Sequence, residues 1–336
     1  MTIRDIAKLA NVSPTAVSFA LNDKPGISDA KKNEILNIVE KTGFSDKYKK
    51  RGFSAKRLIF LKLIKSGVLI EQNADFISKI MDSIQAKCKE LGYSLQIDVI
   101  RNEFYESIKN LDYRGISGLF VLGTELVPDD YKALSLIPVP YIVIDNAMPN
   151  FACNSITMSN EEMAYKAVET LALSGQKDFG HFMGRLHTQN FIERKIGLMD
   201  AVRDFNLNFS KEKEFLLTPT LMQSYTEMKT YIKNKRKIPR IVFADNDVIA
   251  IGAMKAMSES GIRIPEDVAI IGFDDVNLAE TSNPPLSTVR VQCSLIGTMA
   301  TVMLINEIQQ KSPSYSKTKV GGNLIIRASS GNAACS

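Results

Sequence analysis

Apolar residues recur along the first 45 positions at the three- and four-residue spacing of short helices. Thr2 is placed to cap a first helix, with Ile3, Ile6, Ala7, Leu9 and Ala10 on its apolar side. The tripeptide "NVS" then makes a turn. Ser13 caps a second helix that opens on Pro14, a residue suited to the first helical turn, and runs only to Leu21, with Ala16, Val17, Ala20 and Leu21 as its stripe. "NDKPG" ends it. Ser28 caps a third helix, with Ile35, Leu36 and Val39 as a core stripe and Gly43 as its stop. Eight residues are too few for a helix that stands alone in water, so the second helix must be buried against its neighbours, through Ile6, Val12, Val17 and Leu21. Two helices joined by a tight turn and braced by a third form a helix-turn-helix, whose second helix is the one laid in the major groove of DNA.

From Leu58 the pattern changes. Near-continuous apolar runs ("LIFLKLI", "GLFVLG", "YIVIDN", "FGHFMG", "RIVFAD", "VAIIGFDD") alternate with helical stretches near 103–110 and over 191–205, 222–234, 246–260 and 294–310. Strands apolar along their whole length and separated by helices indicate parallel sheets covered on both faces. Two such sets in succession predict an α/β chain: a helix-turn-helix headpiece, then two doubly wound parallel-sheet subdomains.

Charge sharpens this division. Residues 1–66 hold 14 Lys or Arg against 6 Asp or Glu, a balance of +8, whereas the remainder carries −3. A basic segment on a mildly acidic body is the electrostatic footprint of nucleic-acid binding. The four cysteines form no C-x-x-C pair, which points to reduced thiols and to neither a disulfide framework nor a zinc site. No apolar run reaches membrane-spanning length, and the N-terminus lacks the apolar core of a secretion signal, so the expected location is the cytoplasm.

"TIRDIAKLANVSPTAVSFALNDKPGIS" resembles the DNA-binding headpiece of the lactose-repressor/galactose-repressor family, and "ADNDVIAIGAMKAM" (244–257), "GFDD" (272–275) and "IIRAS" (325–329) match that family's effector domain in order. The resemblance implies the fold of the periplasmic sugar-binding proteins for the body, with three crossings between its halves. It sets a headpiece at 1–45, a basic hinge linker at 46–57, one subdomain at 58–158 and 292–319, and the other at 159–291 and 320–336. By the same resemblance Pro14, Thr15, Ser18 and Phe19 face the groove, and Thr2, Asn22, Arg51 and Phe53 complete the DNA-contacting set. Phe19 is as well suited to packing against the third helix. The linker departs from the family pattern: Lys50, Gly52 and Phe53 stand where an Ala-Arg-x-Leu helix is usual, and a glycine inside a short helix costs about 1 kcal/mol relative to alanine. Phe53 remains an acceptable minor-groove wedge.

In open α/β sheets, ligands bind beyond the carboxyl ends of the strands. Asp145, Asp245, Asn246 and Asp274 sit at such ends, and Arg194 lies in "ERKIG". The resemblance makes Phe76, Asp145, Arg194, Asn246 and Asp274 the effector-contacting residues, while Asp245 is expected to cap the helix after it. Carboxylates, an amide and an arginine fork can hold hydroxyls in fixed geometry, which suggests a sugar or sugar derivative; a nucleobase or a partner protein is the alternative. Enzymatic readings fail, since neither a G-x-x-x-x-G-K-S/T loop nor a G-x-S-x-G elbow is present. His181 reads as a core histidine, and no metal or cofactor is expected. The resulting expectation is a homodimeric transcription regulator that binds an operator and a small effector, and is not an enzyme. Its rival from another class is a solute-binding transport component, which would need a secretion signal in place of the basic headpiece.

Overall fold

A computed structural model describes residues 2–21, 26–42, 44, 57–72, 74–101, 103–310 and 314–331. Asn22, Gly43, Arg51, Phe53 and the rest of the expected linker up to position 56 lie outside the described residues. The chain divides into two compact units, Met1–Lys56 and Arg57–Ser336.

In the first unit, α1 (Ile3–Leu9), α2 (Pro14–Leu21) and α3 (Asp29–Lys41) surround a small core of Ile6, Ala7, Ala10, Val17, Ala20, Ile35, Val39 and Phe44. Each helix starts where a side-chain oxygen meets an orphan backbone N–H. Thr2 forms a capping box with Asp5, Ser13 Oγ accepts from Ala16 N at 3.1 Å, and Ser28 Oγ accepts from Lys31 N at 3.4 Å. Leu9 and Leu36, expected in the core stripes, are 57% and 36% exposed. At 100° per residue, Leu9 falls well off the face shared by Ile3, Ile6, Ala7 and Ala10, whereas Leu36 and Ile38 flank the Ile35–Val39 stripe on opposite sides. Partly buried Ile38 takes the place expected of Leu36.

The second unit contains two parallel sheets. In chain order, β1 (Arg57–Ile64), α4 (Val68–Gln72), α5 (Ala74–Glu90), β2 (Ser94–Arg101), α6 (Phe104–Asn110), β3 (Ile116–Leu122), α7 (Tyr131–Leu134), β4 (Tyr141–Ile144) and β5 (Asn154–Met158) build the first. There follow α8 (Asn160–Ala172), β6 (Phe179–Gly184), α9 (Gln189–Asp204), β7 (Glu214–Leu217), α10 (Leu221–Lys233), β8 (Ile241–Ala244), α11 (Asp247–Ser258), β9 (Ala269–Ile271) and α12 (Asn277–Thr281). The chain ends with β10 (Thr288–Val291), α13 (Cys293–Gln310), β11 (Lys317–Val320) and β12 (Gly322–Ile325). The first sheet has the order β11-β5-β4-β3-β1-β2 and the second β7-β6-β8-β9, and every pairing in both is parallel. β10 and β12 form an antiparallel pair. The chain therefore passes between the sheets after β5, again into α13, which packs against α5, and a third time from β11 to β12.

Strands buried on both faces explain the unbroken apolar runs. Phe60 and Phe120 fill the first sheet's core, and Phe182 and Phe215 meet edge-on at 5.5 Å in the second. One close approach joins two helices on the second sheet's side of the cleft. A Cβ on Gly197 of α9 would lie 1.9 Å from the Glu161 carbonyl oxygen, so only glycine lets α9 lie this near α8. That approach sets Asn190 and Arg194, one turn apart on α9, against Asn160 of α8.

Candidate functional site

Phe76, Asp145, Arg194 and Asp274 line one cavity between the two sheets, together with Leu69, Ile77, Thr124, Met158, Thr188, Asn190 and Phe191. As the sheets stand it has a volume of only about 20 Å³, room for about one water, while a neighbouring space of about 220 Å³ shares Phe76 and Asp274. Small-molecule sites run from about 300 to 1,000 Å³, so a ligand of that size enters only as the sheets part.

Asp145 stands just past the end of β4 with φ +65°, in the left-handed region. Its carboxylate accepts from Thr124 Oγ1 at 2.5 Å and from Asn190 Nδ2 at 2.9 Å, so one side chain joins a loop of the first sheet to a helix of the second. Asp274, beyond β9, has φ +112° and accepts from Arg194 Nη2 at 3.1 Å. Residues held in this region of backbone space concentrate at functional sites. Burial raises the pKa of both acids from 3.8 to about 6. Arg194 lowers both, and the charge of Asp145 adds to the rise at Asp274.

Arg194 is 3% exposed and nearly used up by the protein. Nε donates to Asn160 Oδ1, Nη1 to the Asp245 carbonyl, and Nη2 to Met158 Sδ and Asp274 Oδ1, while the guanidinium lies 3.7 Å from the Phe273 ring centroid. Of its five N–H donors one remains. The fork expected to grip a ligand lines the cavity with most of its donors engaged by the protein, Asp274 among their partners. Asn160 Nδ2 donates to Asn190 and Glu193, and Lys319 pairs with Glu193 at 3.1 Å.

Two residues depart from the sequence reading. Asn246 caps α11, its Oδ1 accepting from Ile249 N at 3.0 Å; it is not among the cavity-lining residues, and its buried Nδ2 has no partner among the described residues. Asp245, expected in that capping role, turns into the second sheet, where it meets His181 Nε2 at 2.8 Å and accepts from Gly184 N at 2.7 Å. An N-cap needs extended backbone just ahead of the helix, and Asn246 has it (φ −153°, ψ 169°). His181, fully buried, stacks on Phe243 as a core histidine. Thr124, Asn160, Asn190 and Glu193 were not foreseen. Two signals point to them: Thr124 lies just past the end of β3, and Asn190 shares a helix face with Arg194 at i, i+4.

On the headpiece, Pro14 and Thr15 are exposed, and Ser18 and Phe19 half-buried. The Phe19 ring lies against Gly26, where an added Cβ would come within 3.1 Å of it, so Phe19 packs on the turn before α3. Thr2 is exposed but engaged with Asp5. No helix among the described residues is long and apolar enough to cross a membrane, and no group of three or more His, Cys, Asp or Glu there could hold a metal ion.

Residues 2–46 match the model of bacterial regulatory proteins, lacI family, and residues 168–330 that of a periplasmic binding protein-like domain. The HTH-type transcriptional repressor PurR of Pasteurella multocida is 28% identical over 335 residues, covering 98% of both chains, and that of Haemophilus influenzae strain Rd is 28% identical over 338. Among solved structures, a lac repressor dimer bound to operator and the anti-inducer ONPF has a TM-score of 0.73 at 20% identity, covering 98% of this chain and 99% of that one. A CelR–cellobiose complex gives 0.73 at 18% over the same shares; at these identities the two structures speak for the fold alone. The full-length relatives are transcriptional repressors, which are DNA-binding regulators and not enzymes. Headpiece, body and full-length relatives agree: this chain belongs to the lacI family of bacterial regulatory proteins.

Proposed function

We propose that the protein is a cytoplasmic repressor that binds a two-fold symmetric operator as a homodimer, and that its operator affinity is set by a purine base held between the two sheets. The observation that carries the effector reading is the pair of buried acids, Asp145 and Asp274, at opposite walls of one cavity around a guanidinium whose donors are already engaged. Such a cavity offers acceptors and asks its ligand for donors, which the ring N–H groups of a purine supply. Phe76 and Phe191 offer aromatic faces beside them. The name PurR of the full-length relatives supports the same class. A sugar is the second reading, since hydroxyls also donate to carboxylates, but the engagement of Arg194 removes the fork that recommended it.

Coupling to DNA follows from linkage. A ligand that bridges the two acids favours one arrangement of the sheets, and an arrangement that alters the dimer alters the spacing of its headpieces. Calorimetric titration of the full chain with hypoxanthine, guanine, adenine and a panel of mono- and disaccharides tests the assignment. Micromolar binding of a purine with no heat from sugars supports it. A sugar that binds while every purine fails overturns the purine assignment and leaves the regulator.

A further inference from the structure

The loop after β1 is built as an anion nest, and a side chain of the protein already fills it. Three successive backbone N–H groups, those of Lys65, Ser66 and Gly67, converge on Glu125 Oε2 at 2.7, 2.9 and 3.4 Å, and Ser66 Oγ donates to Oε1 at 2.8 Å. Gly67 turns the loop with φ +75°. Convergent N–H groups of this kind are how loops hold phosphates and carboxylates, and Glu125 is 7% exposed where it sits among them. The loop leads directly into α4 and α5, which carry Leu69 and Phe76 to the cavity wall.

Glu125 also stands next to Thr124 on a single turn. That turn is closed by Leu126 N donating to Gly123 O and braced by Asn146 Nδ2 on the carbonyls of Gly123 and Leu126. Of these two neighbours, Thr124 bonds the buried acid Asp145 and Glu125 holds the β1 loop. A change at Asp145 and a change at the Leu69–Phe76 wall therefore pass through the same turn.

We propose that Glu125 is a positioning residue of the effector site: its carboxylate fills the Lys65–Gly67 nest, sets the wall that carries Leu69 and Phe76, ties that wall to Asp145, and closes the nest to outside anions. The part that concerns ligand affinity rests on the effector reading above; the nest itself does not. Glu125→Ala in the full chain empties the nest, and a small carboxylate added from solution refills it. Amide hydrogen exchange at Lys65, Ser66 and Gly67 should accelerate by about tenfold or more in the variant, because these donors lose a charged acceptor. Formate or inorganic phosphate at matched ionic strength should restore protection, whereas formamide, similar in size and uncharged, should not. In the native chain the same amides should ignore all three additives. Glu125→Gln, which keeps the volume and one acceptor oxygen, should fall between, and it serves as the test if the alanine variant does not fold.

Titration with hypoxanthine as the probe should show weaker binding in the alanine variant, regained with formate. Unchanged exchange at Lys65–Gly67 in both variants, or equal recovery with formamide, overturns the proposal. If the native chain binds neither hypoxanthine nor any sugar while exchange responds to formate as stated, the effector reading falls and the role of Glu125 in the loop stands.

Discussion

The headpiece and the cleft place function at opposite ends of the scale of burial. In the headpiece eight apolar side chains, from alanines to Phe44, form the core, and the residues assigned to DNA stand at the surface: Pro14 and Thr15 are exposed, with Ser18 and Phe19 at its margin. In the cleft the assigned residues belong to the interior. Asp145, Arg194 and Asp274 are 3%, 3% and 8% exposed, and each is bonded to partners distant in sequence. A surface side chain can change without harm to the fold, so stability and function separate in the headpiece. A buried charge cannot, because removing one partner strands the other. In the cleft, folding and function are therefore one network.

The largest expected effect tests that coupling. Arg194→Ala leaves Asp274, Asn160 and the Asp245 carbonyl without their donor and should destabilise the body by about 3–5 kcal/mol, read from denaturant unfolding. Arg194→Lys should recover little, since an ammonium cannot reproduce four bonds from a planar fork. A loss below about 1 kcal/mol would show that the network is looser than its geometry. Ile6→Ala should be nearly as costly within its own unit, about 2–5 kcal/mol. The headpiece is small and forms a compact unit of its own, so DNA binding should vanish while the body keeps its melting temperature. A body that melts earlier would contradict the separation.

Asp145→Asn sharpens the comparison in the opposite direction. The folded pKa of about 6 lies above the ordinary 3.8, so the folded chain keeps this proton over that window while the unfolded chain has released it. Stability must then fall as pH rises from about 4 to about 6, and stay lower above that. Asparagine tolerates the left-handed backbone, accepts from Asn190 and donates to Thr124. The variant should be more stable than the native chain at pH 7 by about 1–3 kcal/mol, with the gap closing near pH 4, and should lose effector affinity. Equal pH profiles in thermal melts of the two proteins would show that Asp145 is not held protonated. The smallest effect belongs to Thr15→Ala, exposed on α2: about 1 kcal/mol of operator affinity and no change in melting. A shift in melting would mean that Thr15 contributes to the fold.

The same contrast explains what the sequence discloses. The headpiece was legible because local signals suffice there: Thr2, Ser13 and Ser28 cap the three helices, and the apolar stripes lie within one helix each. Even there, Leu9 was misplaced for want of the helical angle, and Leu36 because the angle alone does not say which flank of the Ile35–Val39 stripe is covered. The alternation of strands and helices was equally plain, since strands buried on both faces must be apolar throughout. Asp145, Arg194 and Asp274 stood out because they end strands or sit in a quoted motif. Their partners did not, because nothing local reveals that Asn190 would reach Asp145, or that Asn160 would spend a donor of Arg194. The exchange of roles between Asp245 and Asn246 has the same origin. Either residue can cap a helix, and only the backbone at Asn246 and the distant His181 decide which one does.

The central claim is that an exposed headpiece reads symmetric DNA under the control of a buried cleft. Selection of bound sequences from a random duplex pool by the full-length chain, with and without hypoxanthine, tests it most directly. The account predicts enrichment of a near-palindromic site, bound less tightly as salt rises and with an affinity that changes when the purine is present. Enrichment of no sequence, or of one without two-fold symmetry, would contradict it.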